Sequence, residues 1–279
     1  MFNRMLEAAH YDENTEVERA KKLNTFNSVT EEEISHDAFH YFIDKKKDME
    51  VEFYDDLEET GFFSTNEIDT FCDAISIDWV SNRNGSNKVM SIRASIKEYL
   101  SSKKINTLDV VNNAPIPSGI NPMFEPLQIE QILKVNYQML FNHIYEWKKQ
   151  HTDNLLTTND IYLHRGLNIK NIFQSGQNYK ENGFISSYSS AISVGEMFAR
   201  QRQNNNVIVS GEISLFDSQI LFFSPFIRGM KEDQFEFGII PKSKPYSLFY
   251  CGEHSGMHEY LLDALEHQKE LIKAYLNDH

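Results

Sequence analysis

The spacing of apolar residues differs between the two halves of the chain. In the first half, apolar side chains recur every three or four residues, which is typical of helices that bury one face. This spacing predicts helices over residues 31–60, 66–81, 89–101 and 126–149. Residues 112–122 hold three prolines and are the best linker candidate. The last helix has the clearest apolar stripe, which consists of Ile129, Ile132, Leu133, Leu140, Ile144 and Trp147.

The pattern changes from Ile161 onward. Short apolar runs follow one another, separated by proline, glycine and asparagine, which is typical of β-strands joined by turns. A helical half followed by a β-rich half predicts an α+β fold. We expect a helical N-terminal domain over residues 1–152 and a second domain over residues 153–279. The chain is expected to close with a helix from about His258 to Leu276, with a stripe of Leu261, Leu265, Leu271, Ile272 and Tyr275.

Composition and charge limit the classes of function. Hydrophobic residues make up 41% of the 279 residues, and the two cysteines, Cys72 and Cys251, show no metal-ligand spacing. The formal net charge is −14, and residues 1–60 carry seven basic and seventeen acidic side chains. This acidity argues against loose, sequence-independent binding of nucleic acid. The acidic N-terminal part is either a solvated helical surface or an element that docks on a basic partner or shields a cationic site.

Several other classes lack their sequence signals. No apolar run approaches the roughly 20 residues that span a bilayer, and residues 1–27 lack the layout of a signal peptide. We therefore expect no membrane partner and a cytoplasmic location, although signal-free secretion would fit the same sequence. His36 and His40 have a spacing that can bind zinc on a helix, but no third ligand is evident, so no metal is expected. The chain has no glycine-rich loop of the kinds used for phosphoryl or hydride transfer.

Three polar motifs lie on or beside predicted strands of the second half. The first is Arg165-Gly166, at the end of the strand that begins at Ile161. The second is Ser186-Ser187-Tyr188, and a predicted helix after it ends in Phe198-Ala-Arg200-Gln-Arg202. The third is Gln234-Phe-Glu236, which opens another strand. Each motif alone is weak, but their order and their placement on strands favour a common site.

In this order the motifs resemble those of the mono-ADP-ribosyltransferases of the arginine–serine–glutamate type, over about residues 160–245. The chain is most similar to the clostridial exoenzymes that modify Rho GTPases, which also have a Phe-Ala-x-Arg-like segment and a Gln-x-Glu strand. It departs from the family pattern at His164, Ser187 and Tyr188. The resemblance implies a split, mostly antiparallel two-sheet core that binds NAD as its substrate in the cleft between the sheets.

The resemblance places Glu236, Gln234, Ser186 and Arg165 in the catalytic group. Breaking the bond between ribose and nicotinamide builds positive charge on the ribose, which the carboxylate of Glu236 can stabilise. Ser186 is expected to hydrogen-bond Glu236 and fix its rotamer. Arg165 suits the pyrophosphate of NAD because a guanidinium group is a rigid, charged fork of donors.

Further NAD contacts are expected around this group. The backbone of Gly166 can come close to the nicotinamide amide. Phe198 is expected to stack on nicotinamide, and either Arg200 or Arg202 to hold phosphate. Ser186 and Ser187 complete the predicted NAD contacts.

Gln234 is expected to influence the choice of acceptor. It shares a strand face with Glu236 because side chains alternate along a strand. In the family, glutamate at this position accompanies modification of arginine, whereas glutamine accompanies other acceptors, including asparagine and, in some branches, nucleobases. The resemblance therefore makes arginine the less favoured acceptor.

The expected function is mono-ADP-ribosyl transfer from NAD to a macromolecule, at a non-arginine site of a protein, by a toxin or effector. One alternative is a toxin that modifies RNA or DNA in a toxin–antitoxin or phage-conflict system. Another is an inactive module that keeps the fold to recognise a partner. A separate, simpler interpretation of the motifs involves no site at all: Arg165 is then a surface residue, Glu236 faces solvent and Phe198 belongs to the core. A target or an antitoxin is expected to dock on the N-terminal half.

Overall fold

The structure is a computed structural model, which describes residues 37–80, 85–150, 161–200, 204–230, 235–254, 256–266, 269 and 273. It has an α+β fold, as the change of pattern along the sequence predicts. Its α-helices are α1 (Asp37–Asp44), α2 (Lys46–Glu59), α3 (Thr65–Asp73), α4 (Asn87–Ser102), α5 (Leu108–Asn113), α6 (Pro126–Gln150) and α7 (Ile192–Ala199). A π-helix, Ala74–Trp79, follows α3 without a break.

The helices of the first half lie close to their predicted positions. The predicted helix over residues 31–60 is two helices, since α1 ends at Asp44 and α2 begins at Lys46. The residues before Asp37 lie outside the described part. Residues 114–122 form the irregular segment that the prolines predict, although α5 includes the first two residues of the predicted linker.

Helix α3 begins at a capping box and ends in a wider turn. The backbone N–H of Ser64 donates to Oε2 of Glu67 at 2.8 Å, and the N–H of Glu67 donates back to Oγ of Ser64 at 3.4 Å. At the other end, the N–H of Val80 donates to the carbonyl of Ile75 at 3.3 Å. This bond spans five residues instead of four, which is the signature of a π-turn. The wider turn changes the direction in which the last side chain of the segment, Trp79, leaves the helix.

The second half consists of eight strands. They are β1 (Tyr162–Ile169), β2 (Asn178–Tyr179), β3 (Ser186–Ser189), β4 (Asn205–Glu212), β5 (Ile220–Phe223), β6 (Glu236–Ile239), β7 (Tyr246–His254) and β8 (Met257–Leu262). Their hydrogen-bonded order is β2-β7-β8-β4-β1-β3-β6-β5. All neighbours are antiparallel except β4 and β8.

The expected split into two sheets is not what the structure shows, because all eight strands belong to one mixed sheet. The link between its two parts is nevertheless narrow. Strand β1 pairs with β4 over all eight of its residues, from Tyr162 to Ile169. It pairs with β3 only through His164 and Ser189. A single residue pair therefore joins β3, β6 and β5 to the other five strands.

The predicted start of the C-terminal helix is wrong. Residues Met257–Leu262 form strand β8, which pairs in parallel with β4 and antiparallel with β7. Pairing on both sides outweighs the apolar spacing that suggested a helix, because strand formation depends strongly on tertiary context. Beyond the strand, the described residues Glu266, Lys269 and Lys273 are helical.

The helices pack against the β5 side of the sheet through aromatic side chains. Phe42 of α1 meets Phe223 at a ring-centroid distance of 5.2 Å, and Phe53 of α2 stacks on Phe226 at 6.4 Å. The amide of Asn136 in α6 donates to the carbonyl of Leu221 at 2.8 Å. One buried apolar cluster contains residues of both halves. The predicted boundary between residues 152 and 153 lies outside the described residues and stays a prediction.

The cysteines and the apolar character of the helices can both be compared with the sequence. Both cysteines are free and buried, and burial raises the pKa of the Cys72 thiol to about 11. A buried thiol that stays protonated is a poor nucleophile, which favours a structural role. Among the helices of the described residues, none has the length and apolar character needed to span a bilayer.

Gly238 provides a test of the packing between β5 and β6. A Cβ atom at this position would overlap the ring of Phe222, which is its partner in the ladder. We expect Gly238→Ala to lower the free energy of unfolding by about 1–3 kcal/mol, the usual cost of overpacking a core. Denaturant unfolding followed by circular dichroism measures the change. Gly85→Ala is the matched control, because a Cβ atom there has no neighbour within 4 Å. Equal stability of the two variants would contradict this account of the packing.

Candidate active site

A cleft lies where β1 and β3 separate. It has a volume of about 540 Å³ and is lined by residues of β1, β3, α7 and the start of β6. Sequence-predicted residues from all three motifs line it together, namely Arg165, Gly166, Ser187, Phe198 and Glu236. Segments that are far apart in the sequence thus converge on one site, and a buried carboxylate is part of its wall.

Glu236 is held through one of its two carboxylate oxygens. Its side chain is almost fully buried, with the residue 7% exposed. Oε1 accepts a hydrogen bond from the indole Nε1–H of Trp79 at 2.8 Å and another from the hydroxyl of Ser187. Among the described residues, no group donates to Oε2. The carboxylate is therefore fixed in orientation and keeps one oxygen for a ligand in the cleft.

The pKa of Glu236 reflects two opposing effects. Burial raises the pKa above its ordinary value, because desolvation disfavours the charged carboxylate. The hydrogen bonds from Ser187 and Trp79 lower it, since both stabilise the ionised form. The net result is a raised pKa. The two donors thus oppose the cost of keeping a charge at a buried position.

The backbone before Glu236 is strained. Phe235 is buried and has φ of 42°, in the left-handed region that bulky residues rarely adopt. Such a conformation costs on the order of 1–3 kcal/mol and is kept only where its surroundings enforce it. The next residue is anchored as well, because the N–H of Glu236 donates to Oγ of Ser224 at 3.0 Å. Glu236 therefore enters β6 directly after a strained residue, and its own backbone N–H is anchored to Ser224.

The serine that contacts Glu236 is Ser187, not Ser186 as predicted. Ser189 faces Glu236 in the register of β3 and β6, and cross-strand partners point to the same side of a sheet. Ser187, two residues before Ser189, shares that side, whereas Ser186 points to the other. The side chain of Ser186 is buried, and its Oγ has no hydrogen-bond partner among the described residues. The alternation along β3 decides between the two serines.

Arg165 lines the cleft but is tied to a carboxylate that the sequence did not indicate. Its Nη1 forms an ion pair with the buried Glu181, which also accepts a hydrogen bond from the hydroxyl of Tyr188. The guanidinium lies 5.7 Å from the centre of the Tyr188 ring. Burial is the largest effect and lowers the pKa of Arg165, but Glu181, Tyr179 and Tyr188 together outweigh it, and the pKa is raised. Glu181 lies in the segment between β2 and β3, where no periodic pattern marks it.

Gly166 has a packing role that is independent of any ligand. A Cβ atom at this position would overlap the carbonyl of Gly195 in α7 and lie 2.6 Å from the backbone nitrogen of Ala199. The absence of a side chain lets α7 pack directly on β1, and this contact forms one wall of the cleft. The predicted approach of its backbone to a nicotinamide amide stays a prediction.

Of the other residues predicted for the site, some line the cleft, some do not, and some lie outside the described residues. Phe198 is 36% exposed and lines the cleft, so it is not a core residue. Arg200 is not among the cleft-lining residues and lies 3.7 Å from the carboxylate of Glu196. Arg202 and Gln234 lie outside the described residues. His36 also lies outside them, and the described residues contain no group of three or more His, Cys, Asp or Glu that is arranged to hold a metal ion.

The contact between Ser187 and Glu236 predicts different effects of two neighbouring substitutions. Ser187→Ala removes a hydrogen bond to the ionised carboxylate, so the pKa of Glu236 is expected to rise further. Ser186→Ala is the matched control and is expected to leave this pKa unchanged. Side-chain ¹³C NMR titration of labelled glutamate measures both, with Glu236→Gln used to assign the signal. An equal shift in the two variants would rule out the assigned contact.

Comparisons with known proteins show remote similarity only. No family model matches the sequence, and no curated protein matches it either. Among solved structures, the ADP-ribosyltransferase Vis in complex with the M6 inhibitor is 14% identical, with 85% of this chain and 86% of that chain covered and a TM-score of 0.42. A second structure, described as Vis toxin, an ADP-ribosyltransferase from Vibrio splendidus, is 14% identical over 85% and 87% of the chains, with a TM-score of 0.39. Vis in complex with agmatine is 12% identical over 85% and 86%, with a TM-score of 0.42.

Proposed function

We propose that this protein is a mono-ADP-ribosyltransferase that cleaves NAD and transfers the ADP-ribose to a macromolecular acceptor. The observation that supports the proposal best is the state of Glu236. Its carboxylate is buried, Oε1 is held by two donors and Oε2 has no described donor, in a cleft that Arg165 also lines. The order of motifs along the sequence, with its resemblance to the arginine–serine–glutamate transferases, supports the same reaction.

The reaction breaks the bond between the nicotinamide nitrogen and C1′ of the ribose. Nicotinamide leaves, C1′ forms a bond to a nucleophile of the acceptor, and the acceptor loses a proton. Positive charge builds on the ribose while the bond breaks. A carboxylate that is fixed before the reaction stabilises this charge without reorganising, which makes such groups effective. Glu236 has this property, because Trp79 and Ser187 already determine its orientation.

The residues around the cleft fit NAD as a substrate. Ligand pockets for molecules of this kind have volumes of roughly 300–1,000 Å³, and the cleft lies in that range at about 540 Å³. The ring of Phe198, which is 36% exposed, offers a face for nicotinamide. Oε2 of Glu236 is assigned to accept a hydrogen bond from a ribose hydroxyl. Gly166 contributes backbone to the same wall.

Arg165 is assigned to the pyrophosphate. The pairing with Glu181 involves Nη1, and the guanidinium fork has further N–H donors. Glu181 and Tyr188 hold the fork in one place, and the raised pKa keeps it charged at any physiological pH. Arg200, whose side chain is 41% exposed, or Arg202 is assigned to phosphate, as the sequence motif suggests.

The acceptor is proposed to be a non-arginine site of a protein. Gln234 lies two residues before Glu236, and its amide both donates and accepts hydrogen bonds, which suits an amide acceptor. A nucleobase would suit the same amide, but the net charge of −14 opposes an acceptor with a phosphate backbone. Labelled NAD offered separately with protein and RNA fractions distinguishes the two. We further propose that the protein acts as a toxin or effector, with its target docking on the N-terminal half.

Replacement of Glu236 tests the proposed reaction. We expect Glu236→Gln to lower kcat for nicotinamide release by at least about 10²-fold, because one preorganised electrostatic partner of the transition state is lost. The affinity for NAD, measured by calorimetry, should stay nearly unchanged. Glu253→Gln is the matched control, since Glu253 is a strand carboxylate that does not line the cleft. Wild-type turnover in Glu236→Gln would refute the proposal, and wild-type protein without any turnover would favour the inactive module.

The stability of the same variant shows whether it folds. The pKa of Glu236 is raised in the folded state, so ionisation destabilises the fold as pH rises through the unfolded-state pKa. This loss is complete above the folded-state pKa. Glutamine removes this effect, and Glu236→Gln should therefore be at least as stable as the wild type at neutral pH. A thermal melt at that pH provides the check.

Replacement of Gln234 tests the choice of acceptor. Gln234→Ala is expected to keep NAD hydrolysis within about tenfold of the wild type, because the residue need not touch the bond being broken. Transfer to the native acceptor should fall much further. Nicotinamide release and labelled-acceptor formation are measured on the same preparation. Parallel losses in the two assays would place acceptor choice elsewhere, most simply in the loop before Gln234 or in the helical half.

A further inference from the structure

Trp79 brings the helical half of the chain into contact with the candidate catalytic carboxylate. Its indole Nε1–H donates to Oε1 of Glu236 at 2.8 Å, across 157 residues of sequence. No motif of the second half contains this residue, and the sequence predictions did not include it in the site. Of the two hydrogen bonds that fix Oε1, one therefore comes from the sheet and the other from the helices.

The local structure explains how Trp79 reaches Glu236. The capping box at Ser64 fixes the start of α3, and the π-turn over Ala74–Trp79 sets the direction of the last side chain. The indole packs edge-on against Phe222 at 6.3 Å, and the ring of Phe222 occupies the space that Gly238 leaves open. π-turns are rare and occur frequently at functional sites. Each of these features contributes to the position of a single N–H group.

A cation lies over the indole ring of Trp79. The guanidinium of Arg93 in α4 is 5.8 Å from the centre of the Trp79 ring. Among the described residues, no carboxylate pairs with Arg93, and burial lowers its pKa. A cation over an indole face is attracted by the ring electrons. Arg93 therefore helps to hold the ring in the plane that aims Nε1–H at Glu236.

We propose that Trp79 is a positioning residue, whose indole N–H holds the carboxylate of Glu236 so that Oε2 faces the substrate. This role rests on the proposed transferase function. It implies that the helical half is part of the active site and does more than support it. Trp79 is expected to act through Glu236 and not through contact with NAD, since it does not line the cleft.

The charged groups near Glu236 determine how a pH experiment is interpreted. Trp79 faces it from the π-helix and Ser187 from β3, and neither carries a charge. Arg93 lies beyond the indole, while His164 and Arg165 of β1 line the cleft. None of these three forms an ion pair with Glu236 within the described residues. Loss of the Trp79 hydrogen bond is therefore expected to raise the pKa of Glu236 directly.

Trp79→Phe tests the proposal, because phenylalanine keeps the ring and loses the donor. We expect kcat for nicotinamide release to fall roughly 10- to 100-fold, the range that corresponds to losing a hydrogen bond to a charged group. KM for NAD should change little. The acidic limb of the pH profile of kcat should move to higher pH, which a general loss of packing would not produce. Trp147→Phe makes the same substitution in α6, away from the cleft, and should leave both kcat and the profile unchanged.

A fluorescence measurement tests the contact without relying on activity. The chain has two tryptophans, so Trp147→Phe leaves Trp79 as the only one. Its emission is expected to change as Glu236 titrates, and the change should disappear when Glu236→Gln is added. If no such transition is present and Trp79→Phe has a wild-type pH profile, the positioning role is overturned while the transferase proposal stands. Wild-type turnover in Glu236→Gln overturns the transferase proposal itself, whatever the fluorescence shows.

Discussion

The structure depends on how one buried carboxylate is accommodated. Removing the charge of Glu236 from water is costly unless hydrogen bonds replace those of the solvent. Ser187 and Trp79 supply two such bonds to Oε1, and the structure around them follows from this requirement. The pairing of β3 with β6 positions the serine beside the carboxylate. The π-turn and the contact between Phe222 and Gly238 position the indole. Oε2 remains without a described donor, so desolvation is only partly offset and the pKa stays raised.

A second buried carboxylate, Glu181, differs from Glu236 in its hydrogen bonding. Arg165 forms an ion pair with Glu181, and the hydroxyl of Tyr188 donates a hydrogen bond to it. Both carboxylate oxygens of Glu181 are therefore paired within the protein. One oxygen of Glu236 has no donor among the described residues, and Glu236 lies after a strained residue, Phe235. Strain and incomplete hydrogen bonding cost stability and are characteristic of sites kept for function. The contrast between the two glutamates distinguishes a group that supports the site from a group available for chemistry.

Sequence reasoning found those parts of the molecule that local patterns determine. The apolar period located the helices of the first half, and the order of motifs located Arg165, Phe198 and Glu236 around one cleft. The local pattern gave wrong predictions where a contact across the fold determines the structure. Residues from His258 to Leu262 have helical spacing, but pairing with β4 and β7 makes them part of a strand. The choice between Ser186 and Ser187 needed the register of β3. Glu181 and Trp79 act only through contacts across the fold, and neither belongs to a motif, so a single sequence could not indicate them.

The single residue pair between β1 and β3 separates the cleft residues into two sets of strands. Glu236 and Ser187 belong to the smaller part of the sheet, whereas Arg165 belongs to the larger part. Because the two parts share only this pair in the ladder, side chains supply much of the connection between them. The hydroxyl of Tyr188 in β3 donates to Glu181, and Glu181 pairs with Arg165 of β1. In the proposed reaction, the position of the guanidinium relative to the catalytic carboxylate therefore depends on side-chain contacts more than on backbone pairing.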